Sequence, residues 1–201
     1  MSRKSTILDT LSKEDIKLFD LVTLNRNQIL FHEDDPCHQV GIVKTGSLII
    51  SSYTFEGKEI VFNTINEGDM FANNLVFSSD PSFKGNVIAT SKTQVYLIER
   101  DDLLTLCSKN KAFLKSYLTI QSNNTINLNT RVKLLSFSSL KERLTYALFV
   151  NDNRLPFKSI SALAKELNAE RETLSRLLTK MESQNEIKRI GHVIVKELKT
   201  I

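Results

Sequence analysis

The sequence predicts an α+β chain in three parts: an N-terminal β-roll (jelly-roll) domain, one long helix, and a C-terminal winged helix-turn-helix. Three observations predict it. Short apolar runs separated by turn residues fill positions 28–100. An unbroken helical pattern with coiled-coil spacing follows. Two short amphipathic segments and two β-rich runs then occupy 157–197.

The β part is read first. Strands are expected at 28–31, 40–43, 47–53, 59–65, 86–89 and 94–98. Between them stand Asp34-Asp35-Pro36, Thr45-Gly46, Glu56-Gly57-Lys58, Asn66-Glu67-Gly68-Asp69 and Asp80-Pro81. Gly, Asp and Pro supply the turn geometries that other residues resist, so they punctuate strands. Strands at this regular spacing argue for a small barrel or sandwich.

After Arg100 no Gly or Pro occurs through residue 151. Asp101-Asp102 suit a helix start, where carboxylates meet the positive end of the helix dipole. Leu114, Leu118, Gln121, Thr125, Leu128, Val132 and Leu135 recur with 4-3-4-3-4-3 spacing, which places them on one seam of a helix. The spacing favours a homodimer interface along this seam over a helix lying on its own β domain. Two polar seam positions, Gln121 and Thr125, suit a register-fixing or ligand-meeting role. Ser138-Ser139 interrupt the pattern, and Ser139-Leu140-Lys141-Glu142 is a capping box opening a further helix. The parts expected are therefore a β-roll domain at 1–100, a dimerisation helix at 101–136 and a separate C-terminal domain at 137–201, with a hinge at 137–139.

Charge separates the same parts. The net charge is +4. Residues 1–136 hold 15 Lys and Arg against 15 Asp and Glu, while residues 137–201 hold 12 against 8, so the whole excess lies in the last third. A basic segment beside a neutral one implies an anionic partner.

Within that segment Ser159 precedes Ile160, Leu163, Ala164 and Leu167 on one helical face. Asn168-Ala169 make a tight break, and Asn tolerates a left-handed backbone there. A second helix buries Leu174, Leu177, Leu178 and Met181 and turns Arg171, Glu172, Ser175 and Arg176 outward. Two short helices joined in this way form a helix-turn-helix, whose second helix enters the major groove by its N-terminal end. Arg pairs bidentately with guanine and Glu accepts from cytosine N4. Residues 186–190 and 193–195 flank Gly191-His192 as a hairpin, from which Lys188, Arg189 and Lys196 are candidates for phosphate contact. An apolar docking face would suit the alternative, a sensor module acting through a protein partner. The outward arginines favour double-stranded DNA.

Other functions lack their residues. There is no Gly-rich phosphate loop, His-Glu-x-x-His or Gly-x-Ser-x-Gly, so no enzyme is expected. Cys37 and Cys107, 70 positions apart, form neither a disulfide framework nor a cysteine metal site. Cys37 follows Asp34-Asp35-Pro36, whose carboxylates should disfavour a reactive thiolate. His32 and His38 are isolated. No cofactor and no metal are expected. The apolar runs are far too short for a membrane span and the N-terminus carries no signal-peptide core, so a cytoplasmic protein is expected.

Arg171-Glu172-Thr173-Leu174-Ser175-Arg176-Leu177-Leu178 resembles the recognition helix of the CRP/FNR family of bacterial regulators. Val43-Lys44-Thr45-Gly46-Ser47-Leu48, Glu56-Gly57-Lys58-Glu59 and Gly68-Asp69-Met70-Phe71 resemble that family's cyclic-nucleotide-binding β-roll. The resemblance spans about residues 20–197. It implies a homodimeric transcription regulator, a palindromic operator with half-sites resembling TGTGA, and RNA polymerase as a partner if it activates. The family's nucleotide-binding members use a Gly-Glu-Leu turn for the ribose and an Arg-Ser/Thr-Ala turn for the phosphate. Here those stretches are Ala72-Asn73-Asn74 and Lys84-Gly85-Asn86, so the Glu is absent and Lys84 replaces the Arg. Lys lacks the bidentate fork. Cyclic AMP is therefore not the expected effector, and two cysteines cannot hold the family's iron–sulfur centre. The chain most resembles the Gram-positive, PrfA-like branch. An unidentified small-molecule effector would meet Asn73, Asn74, Lys84 and Thr125.

Overall fold

The computed structural model describes residues 6–197. The first five residues, where no signal-peptide core was expected, lie outside them. The chain divides into two compact units, Met1–Asn123 and Asn124–Ile201.

The first unit contains two four-stranded antiparallel sheets. Strands β1 (Asp20–Leu24), β8 (Thr93–Glu99), β3 (Gln39–Thr45) and β6 (Met70–Phe71) form one, in that order. Strands β2 (Ile29–Phe31), β7 (Asn86–Ala89), β4 (Ser47–Tyr53) and β5 (Glu59–Asn66) form the other. Val40, Ile42 and Val95 from the first sheet and Leu48, Val87 and Ala89 from the second belong to one apolar core. This is the predicted β-roll, with the turn residues where they were expected. Gly46 and Gly68 have φ of +86° and +85°, which side chains with a Cβ adopt only at a cost. Gly41 has a different reason to be glycine: a Cβ there would lie 2.1 Å from Cζ of Phe71.

Helix α1 (Arg100–Lys109) carries Asp101 and Asp102 in its first turn, as predicted. The helical stretch is not continuous, however. It breaks at Asn110 and restarts as α2 (Lys111–Leu135). The side chain of Asn110 causes the restart: Oδ1 accepts from the Phe113 amide at 2.9 Å, which satisfies a first-turn donor. Its Nδ2 donates to the Thr10 carbonyl and to Asp15, both at 2.9 Å. Phe113 and Tyr117 are buried in the β-roll core, which anchors the start of α2. The division between the units falls inside α2, whereas the sequence placed the hinge at 137–139. No helix among the described residues is long and apolar enough to cross a membrane.

The second unit has its own core of Leu144, Leu148, Leu163, Leu167, Leu174, Leu178, Ile187 and Ile194. Helix α3 (Leu140–Val150) opens with the predicted capping box: Ser139 Oγ accepts from the Glu142 amide at 3.2 Å and Glu142 accepts from the Ser139 amide at 3.0 Å. Strand β9 (Arg154–Pro156), helix α4 (Ile160–Glu166), helix α5 (Arg171–Ser183) and strands β10 (Ile187–Ile190) and β11 (Val193–Lys196) follow. The three strands form an antiparallel sheet in the order β10-β11-β9.

Candidate functional site

Helices α4 and α5 are held by local chemistry that the sequence announces. Ser159 accepts from the Ala162 amide at 3.1 Å and starts α4. Asn168 has φ +50°, the left-handed conformation expected of it, and reverses the chain into α5. Ala164, small and buried, lies in the core with Leu174 and Leu178. Leu174, Leu178 and Met181 form the buried face of α5, and Arg171, Glu172, Ser175 and Arg176 are exposed. The four line one shallow depression at the N-terminal half of the helix. Among the described residues, none of the four side chains makes an ion pair or a hydrogen bond to another side chain. Arg176 reaches only the Glu172 carbonyl, at 3.4 Å. Two cations with no acidic partner among the described residues therefore face solvent on one helical surface. Glu170, at the cap position, makes no side-chain cap hydrogen bond.

The hairpin of β10 and β11 forms with Gly191-His192 at its tip, and Lys188 is exposed on it. Arg189 departs from expectation. It was grouped with Lys188 as a phosphate contact, but its NH2 donates to Glu182 on α5, whose other oxygen accepts from the Arg189 amide at 3.0 Å. The bond from Arg189 holds the Glu182 carboxyl below its ordinary value and raises the arginine in return. Arg189 pins the hairpin to α5, because a nearby carboxylate neutralises it within the chain.

The expected effector residues differ in burial and in bonding. Asn73 is buried, and its Nδ2 donates to Oε1 of Gln121 at 2.6 Å. Its carbonyl accepts from Gln121 Nε2 at 2.8 Å and from the Tyr117 hydroxyl at 3.1 Å. Asn73 is thus committed to α2, and Gln121, expected on the dimer seam, is committed to the β-roll. Asn74 is exposed. Lys84 is exposed and bonded to Asp80 at 2.5 Å and to Ser82 at 2.6 Å, which lowers the Asp80 carboxyl. Thr125 lies in the second unit, on an exposed stretch of α2. Sequence reasoning missed Glu33. Its amide donates to Asn86 at 3.2 Å, and its carboxylate accepts from Ser52 at 2.5 Å, so its backbone borders the 84–86 stretch while its charge is held by β4.

The remaining seam residues are solvent-facing. Leu118 is 53% exposed, Leu128 62%, Val132 60% and Leu135 48%, while Leu114 is half-buried. Burial raises the Cys37 thiol to about 11 and also raises Cys107. The Cys37 thiolate is therefore disfavoured through loss of hydration, where the sequence pointed to the neighbouring aspartates. No cluster of three or more metal-binding side chains occurs among the described residues.

Residues 21–110 match the family model of the cyclic nucleotide-binding domain. No curated protein matches the chain in sequence. Solved structures match it, several of them over nearly its full length. CooA from Carboxydothermus hydrogenoformans is 17% identical with a TM-score of 0.69, covering 98% of this chain and 93% of the other. The catabolite activator protein of Thermus thermophilus is 17% identical with a TM-score of 0.58, covering 96% and 94%. A transcriptional regulator of Thermotoga maritima is 24% identical with a TM-score of 0.58, covering 62% of this chain and 96% of its own. The chain has the fold of CRP/FNR-type regulators. Its β-roll is of the cyclic-nucleotide-binding kind.

Proposed function

We propose that this chain is a sequence-specific DNA-binding transcription regulator of the CRP/FNR type, a homodimer on a palindromic operator that does not respond to cyclic AMP. The observation that carries the reading is the surface of α5, where Arg171, Glu172, Ser175 and Arg176 are exposed with both arginines free of acidic partners. A winged helix-turn-helix presents this end of its second helix to base edges in the major groove. Arg176 and Glu172 stand one turn apart on that face and suit a guanine and a cytosine. Arg171 and Lys188 suit phosphates. The β-roll is the sensor part and α2 the dimerising part. The dimer's two recognition helices meet half-sites about one helical turn apart, roughly 34–36 Å. RNA polymerase is a further partner if the protein activates, and the cytoplasm is its place of work.

The test is selection of bound duplexes from a random pool, followed by fluorescence anisotropy. A palindrome should emerge. Arg176→Ala should cost about 1–3 kcal/mol on it and relax preference at one base pair. Lys188→Ala should weaken all sequences alike and lower the salt slope by about one. Recovery of no palindrome, or an Arg176→Ala protein with unchanged preference, refutes the reading.

A further inference from the structure

Arg143 lies on α3 and is not one of the residues facing the expected DNA side of α5. Its NH1 donates to two carbonyls, those of Leu167 and Asn168, both at 2.9 Å. These carbonyls follow the last residue of α4, where no further helical amide is available to bond them. The amides of the turn are already occupied: Asn168 donates to the Lys165 carbonyl at 3.1 Å and Ala169 to that of Ala164 at 2.9 Å. The arginine therefore completes the hydrogen bonding of a turn whose central residue is left-handed. Its Nε is buried with no hydrogen-bond partner among the described residues. A surface arginine serving only as a charge has no reason to lose the hydration of that group. The side chain holds this position because both carbonyls lie within reach of one nitrogen.

We infer that Arg143 is a positioning residue for DNA reading. It fixes the α4–α5 turn to α3, and so fixes the angle at which α5 offers Arg171, Glu172 and Arg176, three to eight positions beyond Asn168. The inference rests on the DNA-binding reading above and adds a residue that acts through the turn without touching DNA. A fixed recognition helix matters for bidentate base contacts, whose donors must meet O6 and N7 together. Phosphate contacts tolerate more displacement, because a charge attracts at any orientation. Loss of the clamp should therefore reduce discrimination while leaving general affinity intact.

The experiment compares wild type, Arg143→Lys and Arg143→Met on the selected operator and on a scrambled duplex, at several salt concentrations. Lys keeps the charge but loses the planar fork, and Met removes the donor. The operator-to-scrambled affinity ratio should fall by about tenfold in Arg143→Met, the loss of roughly one base contact. It should fall less in Arg143→Lys. Affinity for scrambled DNA and its salt slope should not change. An unchanged ratio overturns the inference. A parallel fall in scrambled affinity and slope also overturns it, since Arg143 would then contact phosphate directly. If Arg143→Met does not fold, the Lys variant decides. Amide hydrogen exchange gives a readout independent of DNA: in Arg143→Lys, exchange should quicken at 168–172 and stay unchanged at 178–183. Unchanged exchange at 168–172 overturns the clamp even if no operator is recovered, whereas a missing operator alone counts against the DNA-binding reading.

Discussion

Asn73 and Gln121 are bonded to each other twice, side chain to side chain at 2.6 Å and from the Gln121 amide back to the Asn73 carbonyl at 2.8 Å. The pair ties α2 to the turn that corresponds, by the resemblance, to a ribose-binding turn. A ligand seated there would have to break it. Gln121→Leu leaves the buried Asn73 amide without its acceptor, which should cost about 1–3 kcal/mol. Denaturant unfolding followed by circular dichroism should show a lower midpoint. The double variant Asn73→Leu, Gln121→Leu should recover part of the loss, and strictly additive losses would argue against the coupling.

The exposed leucines of α2 should be covered in solution by a second copy. Leu128→Asp places a charge where the proposed dimer is apolar. Sedimentation should give a dimer for the wild type and a monomer for the variant. A wild-type monomer at micromolar concentration would remove the dimer from the proposal.

Cyclic AMP should give no binding heat at physiological concentrations. Lys84 is already paired with Asp80, so it is not free to hold a phosphate. Calorimetry that returns a micromolar dissociation constant contradicts this.

The Glu182–Arg189 pair predicts a pH dependence of defined sign. The folded-state carboxyl titrates below its ordinary value of 4.5, so the pair's contribution is fully present above that pH. It is lost as pH falls through the lower, folded value. Melting measured from pH 7 down to pH 3 should show a loss in the wild type at the acid end that Glu182→Gln lacks. Identical acid profiles would mean that the pair does not contribute. Arg189→Ala should leave the salt slope of DNA binding unchanged, in contrast to Lys188→Ala.

Features written in local chemistry were legible in the sequence. Asn168, Ser159 and the Ser139–Glu142 box each act within a few residues, so their spacing alone predicts the helices they bound. Strand β9 was not legible, because it is three residues long and ends in Pro156, which a strand interior excludes. The break at Asn110 carried no Gly or Pro, and its only signal was an Asn able to cap a helix start. The candidate site divided in the same way. The outward face of α5 follows from helical periodicity, whereas the pairing of Arg189 with Glu182 depends on how a hairpin folds back onto a helix. Arg143 reaches acceptors 24 and 25 positions away, a separation that no local pattern reports.

The ring of Phe71 fills the space that a side chain at position 41 would need. This sets an order on how the β-roll can diverge. A change at Gly41 while Phe71 remains forces the buried ring to move, since even a methyl group meets it well inside contact distance. A smaller residue at position 71 must come first, leaving a cavity that a later side chain at position 41 can fill. Among descendants of this sequence the two positions, paired across neighbouring strands of one sheet, should therefore vary together, with position 71 leading.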